Sequence, residues 1–468
     1  MTRRTLALLA LCGGAFLGFL DATIVNVAFP DVRRSFPEAE TSQLSWILDG
    51  YFIVLAAFLI PAGGVADRIG RRRTFLAGVS AFVAASALCA IAPSWEALIA
   101  ARVVQGLAAA VATPVSLALL LPLFPVERRA AGVGIWGAAA ALAAACGPPL
   151  GGVLVELADW RWIFLVNLPL GALIVAIGAR ALDESRDERA TGLPDLVASA
   201  LAAIGLGLLA LAIVEGERWG WGDGRTIGAA AVAVALTAVV ARRCATHPRP
   251  LVDPALLRIA SFRWGNLGTL LFAMAFFATI LGNVLFLTGV WRYSVLEAGL
   301  GTVPGPLVSA IAAGPAGRLA DRFGHRAVIV PGVATYAVGL LLLRGAGEQP
   351  DYVGTWLPAM SLTGLGIGLA FPTLGAAAAS QIAPDRFGVA SAVNGAFRQF
   401  GAVLGTAILV AIVGEPRTLD AAASAADDGY LFGILAALAA GVAALALRPS
   451  PAVVPDGRPS PAAAPADG

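Results

Sequence analysis

Three ionisable side chains stand in stretches of this 468-residue sequence that are otherwise almost wholly apolar: Asp21 in LDATIVNVAFP, Asp49 in SWILDGYF and Arg102 in RVVQGLAAA. A carboxyl group set in hydrocarbon is expensive as an anion and is a functional residue by default. It can take up a proton and return it as its surroundings dry and wet. A fourth such residue, Arg398, lies in NGAFRQFGAVLG, next to Gln399 and one turn beyond Asn394. An unpaired arginine there is costly, so it must face a cavity or a partner, either to bind a substrate or to hold helices together. Arg102 and Gln105 are three residues apart and share a helix face, which serves either proton exchange or a packing hydrogen bond. Histidine is not placed for proton work, because His247 and His325 both fall in connecting loops. Any proton coupling therefore has to use carboxylates.

Other chemistries are poorly provided for. The four cysteines, Cys12, Cys89, Cys146 and Cys244, are scattered without a CxxC pair, so neither a disulfide nor a metal site is expected. There is no HExxH motif and no Cys/His cluster, so no membrane-embedded enzyme is expected. The chain contains no lysine, which rules out a GxxxxGK[ST] phosphate loop and with it ATP-driven pumping by this chain alone. No cofactor is expected. A net charge of +2 implies no nucleic-acid partner.

The elements that position these residues follow from composition. With 58% hydrophobic residues and a mean hydropathy of +0.81, the solvent for most of the chain is lipid. A bilayer core takes about 20 apolar residues as a helix. Fourteen such stretches are readable, near 6–29, 44–66, 74–92, 97–121, 131–155, 162–180, 195–214, 226–241, 265–290, 298–317, 327–345, 354–378, 388–413 and 429–447. Period-two alternation is absent, so these are helices and not barrel strands. The opening MTRRTLALLALCGGAFLGFL has the basic head and apolar run of a leader, but the run continues past Asp21 to Ala28 without a small-x-small cleavage site, so the first helix is expected to be retained. Arginine concentrates in alternate loops, which places both termini in the cytoplasm. The Pro- and Ala-rich tail, 448–468, is expected to be disordered.

With helix 1 running outward and helices 2 and 4 inward, Asp21, Asp49 and Arg102 come to similar depth. They are then placed to share a proton; alternatively Asp49 simply pairs with Arg102, or sits wet at a helix end.

The sequence also repeats itself. GGVADRIGRRR at 63–73 is echoed by GRLADRFGHR at 317–326, with Gly63 and Gly317, Asp67 and Asp321, and Gly70 and Gly324 each 254 residues apart. QGLAAAVATP, ending at Pro114, is echoed by TGLGIGLAFP, ending at Pro372, at an offset of 258. Two parallel six-helix halves with two helices inserted between them account for this, an architecture that places a substrate cavity between the halves near the membrane midplane. The division is 1–190 for the first half, 191–250 for the inserted pair and linker, and 251–447 for the second half.

Several motifs give this pattern a family. GGVADRIGRRR, LDATIVNVAFP, RVVQGLAAA and CGPPLGG at 146–152 together resemble the major facilitator superfamily, specifically its fourteen-helix drug:proton antiporter group. The resemblance covers about residues 1–447. It implies an all-α integral membrane protein of the bacterial cytoplasmic membrane, a monomer that exports lipophilic, cationic small molecules against a proton gradient. A dedicated exporter of one endogenous metabolite, antibiotic or lipid is the alternative. It implies that Asp21 carries the proton, with Arg102 helping its release and Asp49 as a further candidate. Asn26, Gln105, Asn394, Arg398 and Gln399 are expected at the substrate cavity. Gly63, Asp67, Arg68, Gly70 and Arg71, with Gly317, Asp321, Arg322, Gly324 and Arg326, are expected to form two cytoplasmic latches that hold while that side is closed. The glycines at 63 and 64 would let helix ends approach, and Asp67 would accept from a helix N-terminus or a neighbouring arginine. His325 replaces the arginine found at 71. Gly147, Pro148, Gly151 and Gly152 would soften helix 5 and seal it against leak.

Overall fold

Fourteen helices long and apolar enough to cross a membrane make up the computed structural model, which describes residues 2–125, 129–186, 194–382 and 386–447. In chain order they are α1 (Arg3–Ser35), α2 (Thr41–Ile69), α3 (Arg71–Ala90), α4 (Trp95–Leu123), α5 (Gly132–Leu157), α6 (Trp162–Ala181) and α7 (Leu196–Val214). Then follow α8 (Gly224–Thr246), α9 (Ala260–Gly289), α10 (Val295–Phe323), α11 (His325–Arg344), α12 (Tyr352–Ala379), α13 (Gly388–Val413) and α14 (Leu419–Leu445). The expected tail at 448–468 lies outside the described residues.

Every expected stretch contains a helix, but several helices run further than the apolar run that announced them. The first stretch, 6–29, extends to Arg3–Ser35, and the last, 429–447, begins at Leu419. Hydropathy reads the thickness of the hydrocarbon, whereas a helix continues until its terminal amides find other partners. Thr2 and Thr418 supply such partners, accepting from the amides of Thr5 and Ala421.

The packing repeats with an offset of eight helices. In the first set α2 packs on α4, α1 on α5 and α6, and α3 on α4 and α6. In the second, α10 packs on α12, α9 on α13 and α14, and α11 on α12 and α14. The two sets meet chiefly along α2 with α13 and α5 with α10, and more lightly along α1 with α9.

The remaining pair divides its labour. Helix α7 packs against both α2 and α13, one from each set, while α8 packs on α7. A bidentate ion pair ties the two together, Arg243 Nη2 and Nε lying 2.9 and 3.0 Å from Asp195. Asp195 also caps α7, accepting from the Ala198 amide, and its hydrogen bond to Arg243 holds its carboxyl below the usual carboxylate range.

Candidate functional site

Asp21, midway along α1, is completely buried and saturated with donors. Its Oδ2 accepts from Arg102 Nη1 at 2.5 Å, and its Oδ1 from Gln105 Nε2 and Asn167 Nδ2, each at 3.0 Å. Arg102 is as deeply buried, and its Nη1 and Nε are held further. Nη1 also reaches Gln105 Oε1 at 2.7 Å, Nε donates to the Ile47 carbonyl at 3.0 Å, and the guanidinium lies 4.1 Å from the centroid of the Tyr51 ring. Ser86 closes the network, accepting from Gln105 and Asn167 and donating to the Phe164 carbonyl at 2.9 Å. Two polar atoms remain without a partner, Arg102 Nη2 and Asn167 Oδ1. The Asp21 carboxylate of α1 is thus held by side chains of α4 and α6, and α3 joins the network through Ser86.

Sequence reading placed Asp21 and Arg102 here but missed Ser86 and Asn167. Asn167 lies in the second turn of α6 and reads as a residue near a span boundary; Ser86 is one small hydroxyl in an alanine-rich run.

Asp49 departs from both structural alternatives raised for it. It does not pair with Arg102, and it is not wet: it is buried, and neither carboxylate oxygen has a hydrogen-bond partner. The reason is helical rotation. Tyr51, whose ring underlies Arg102, is two residues on and therefore about 200° around the helix from Asp49. Asp49 instead shares a face with Ile53, which packs beside Gly207 of α7.

The residues expected at a substrate cavity separate into two groups. Asn26 and Gln105 are buried within the first helix set, Asn26 donating to its own helix at Ala22 and Thr23, and Gln105 belonging to the Asp21 network. Gln399 is also buried, with Oε1 unpartnered. In this state these three are packed within the helix bundle, because hydropathy identifies the span but not which way it is turned. Asn394 and Arg398 are half-buried. Asn394 donates to Asn266 Oδ1 at 2.9 Å and Thr269 Oγ1 at 3.0 Å on α9. Arg398 crosses from α13 to α1, its guanidinium 5.3 Å from the centroid of Phe19.

None of these five lines the cavity of about 780 Å³ found further along the bundle, where Phe29, Arg33 and Thr41 face Leu285, Tyr293 and Val413. Glu415 bridges the two helix sets there, bound by the Arg33 guanidinium and accepting from the Thr41 amide at 2.6 Å. Sequence reading did not anticipate it.

The two charged knots are asymmetric. Asp67 Oδ1 accepts from Arg71 Nε at 2.7 Å, but the α3 N-terminus is capped by Glu184, which takes the amides of Arg72 and Arg73 at 3.0 and 3.2 Å. Arg71 adds an amide bond to the Ser185 carbonyl and Arg72 a side-chain bond to that of Ala179. The first knot is therefore fastened to the segment after α6, within its own helix set. In the second knot Asp321, Arg322 and Arg326 are exposed, and among the described residues Asp321 has no hydrogen-bond or ion-pair partner. Arg68 is exposed too. The close approach expected at Gly63 and Gly64 is absent, since a Cβ at Gly63, as at its counterpart Gly317, would meet nothing within 4 Å, and one at Gly64 would make only ordinary contact with Pro194.

The glycines that matter in the knots are Gly70 and Gly324, at φ +119° and +86°, where a side chain is strained. At Gly70 a Cβ would also lie 2.7 Å from the Glu184 carboxylate, whereas at Gly324 it would meet nothing. Gly324→Ala is expected to cost about 1–3 kcal/mol of strain, and Gly70→Ala to cost more because it must also displace Glu184. Thermal unfolding in detergent of both variants, each with and without Glu184→Ala, checks this. Equal losses would show that the Glu184 contact contributes nothing.

The helix-5 motif lies at the seam. A Cβ at Gly151 would meet Ile24 Cγ1 of α1 at 2.8 Å, and one at Gly147 would overlap Thr23. On the other side a Cβ at Gly152 would lie 2.9 Å from the Leu296 Cα, and one at Gly299 of α10 would lie 2.5 Å from the Pro148 carbonyl oxygen.

Comparison with known proteins gives a consistent result. A family model described as Major Facilitator Superfamily matches residues 11–291 and again 259–466. The chain is 36% identical over 414 residues to the multidrug resistance protein Stp of Mycobacterium tuberculosis, covering 87% of this chain and 75% of that one. It is 33% identical over 440 residues to the methylenomycin A resistance protein of Streptomyces coelicolor, covering 92% and 90%. It is 32% identical over 452 residues to the cephamycin export protein CmcT of Amycolatopsis lactamdurans, covering 94% and 91%.

Proposed function

The chain belongs to the major facilitator superfamily, and from that premise we propose that it is a proton-coupled antiporter exporting lipophilic small molecules across a bacterial cytoplasmic membrane, both termini lying inside. The observation that carries the proton coupling is the buried Asp21–Arg102 pair. Protonating Asp21 removes the counter-charge of Arg102, whose Nη2 already lacks a partner. The network then has two electrostatic states, and α1, α3, α4 and α6 each hold a group that senses the difference. Asp21 has no exposure in this state, so proton access requires the helices to part. In the proposed orientation the cavity under Glu415 lies toward the outside, and cargo and proton exchange across it.

Asp49 is the second proton site in this reading, on the α7-facing side of α2. The cationic cargo that the resemblance implies is served less well, because Arg398 brings a positive charge to the level where the two helix sets meet. A carrier dedicated to one antibiotic is the second reading, favoured by the names of two relatives, each of which specifies a single antibiotic.

Proteoliposomes holding the full chain and an internal pH dye test the proposal, with ethidium and pyrenesulfonate as probes. An imposed pH gradient is expected to drive one or both probes, with protons moving the opposite way. Probe movement without proton flux, or no gradient-driven movement of either, counts against it. Asp49→Asn is expected to lower the number of protons exchanged per probe molecule while transport continues; an unchanged ratio would remove Asp49 from the coupling.

A further inference from the structure

Arg398 holds a position that the proton pathway does not explain. It lies near the middle of α13, and Phe19 lies near the middle of α1, so the two meet at the mid-level of the bundle. Among the described residues, no acid and no hydrogen-bond acceptor contacts the Arg398 guanidinium, although the side chain is half-buried. The intramembrane acids are committed or turned away: Asp21 is saturated by Arg102, Gln105 and Asn167, and Asp49 is enclosed on the α7 side of α2. An arginine kept at this depth without a counter-ion calls for one from elsewhere.

The surroundings describe what would bring it. Phe19 stacks edge-on with Trp136 of α5, ring centroids 6.1 Å apart, and Trp136 is fixed by donating to Ser116 Oγ at 2.9 Å. One turn from Arg398, the Asn394 amide is fixed on Asn266 and Thr269. The result is a rigid aromatic wall on one helix set and a free guanidinium on the other. Guanidinium favours planar oxyanions, which it can bind through two parallel hydrogen bonds, and it repels a cation brought to the same place.

We propose that Arg398 receives an anionic oxygen group of the exported molecule, a carboxylate, sulfonate or ionised phenol or enol, while Phe19 and Trp136 receive its planar apolar body. This rests on the exporter reading and replaces the cationic cargo implied by resemblance with an anionic one. With a proton entering as an anion leaves, both movements carry positive charge inward, so an inside-negative potential assists the cycle, whereas one-for-one exchange of a monocation would be indifferent to it.

The test is a matched pair of permanently charged probes sharing one ring system, pyrenesulfonate and pyrenylmethyl-trimethylammonium. Binding to the purified full chain is read by energy transfer from tryptophan to pyrene. Wild type is expected to bind the sulfonate at least tenfold more tightly than the ammonium. Arg398→Gln is expected to erase that preference and Arg398→Lys to keep part of it. Equal binding of the two probes by wild type, a preference for the ammonium, or a preference that survives Arg398→Gln overturns the proposal. The wild-type comparison needs no variant to fold. Because binding is read without a gradient, its failure leaves antiport standing, while absence of gradient-driven movement in proteoliposomes removes the exporter reading and leaves the binding result intact.

Discussion

Asp21→Asn is expected to abolish pH-driven export and, like Asp21→Ala, to cost the fold about 3–5 kcal/mol, because either leaves Arg102 buried and uncompensated. The two losses have different causes and can be separated. Arg102 has no exposure, and among the described residues Asp21 is the one acid within ion-pair reach of it, so Asp21 supplies its counter-charge. Removing both charges at once, as Asp21→Asn with Arg102→Gln, takes away the desolvation cost together with the attraction. Such paired replacements are often neutral or stabilising by about 1–4 kcal/mol. The double variant should therefore melt near or above wild type while exchanging no protons. Tryptophan-detected unfolding in detergent and an internal pH dye in proteoliposomes give the two readings. A double variant that still couples protons to transport would take the proton away from Asp21.

Gly299→Ala is expected to have the next largest effect, through leak and not through binding. A single methyl group there would stand 2.5 Å from the Pro148 oxygen and 3.2 Å from its carbonyl carbon. No flexible side chain is available to yield, so α10 and α5 must move apart, and overpacking of this kind costs about 1–3 kcal/mol. The neighbouring Gly152 already sits against the backbone of Val295 and Leu296, so the displaced seam has no room to resettle. Since α5 and α10 form one of the main contacts between the two helix sets, a gap there should let protons cross without cargo. Proton leak into proteoliposomes is expected to rise at least tenfold, and gradient-driven accumulation of probe to fall in step. Gly289→Ala is the control, because a Cβ at that position would meet nothing within 4 Å. A tight, fully coupled Gly299→Ala would show that this contact is not needed for the seal.

The charge in the spans made the buried Asp21–Arg102 pair readable in advance. Asp21 and Arg102 stand out because a charge in a membrane span has no casual explanation. Asn167, Ser86, Glu184 and Glu415 do not stand out, and the structure shows why. Asn167 and Ser86 are neutral and small enough to pass as boundary or packing residues. Glu184 and Glu415 lie in loops, where acids are unremarkable, and gain meaning only from the helix N-terminus and the Arg33 guanidinium brought to them. Asp67 does meet an arginine, Arg71, but the α3 amides go to Glu184, 111 and 112 residues away in sequence.

What the sequence determined by itself was the number of helices, their order and their doubling. Lipid demands about 20 apolar residues per crossing, and the two charged knots mark the same loop twice. Only the tertiary structure decided how each helix is turned. In water, a polar face shows which side of a helix is exposed. In lipid both sides are apolar, and the buried side is marked by small residues and a few hydrogen bonds. So the sequence placed Asp49 at the level of Arg102, and the rotation of α2 set them apart. It placed Asn26, Gln105 and Arg398 together at a cavity, and the rotation of α1, α4 and α13 left Arg398 facing across to Phe19 while the other two turned into the packing.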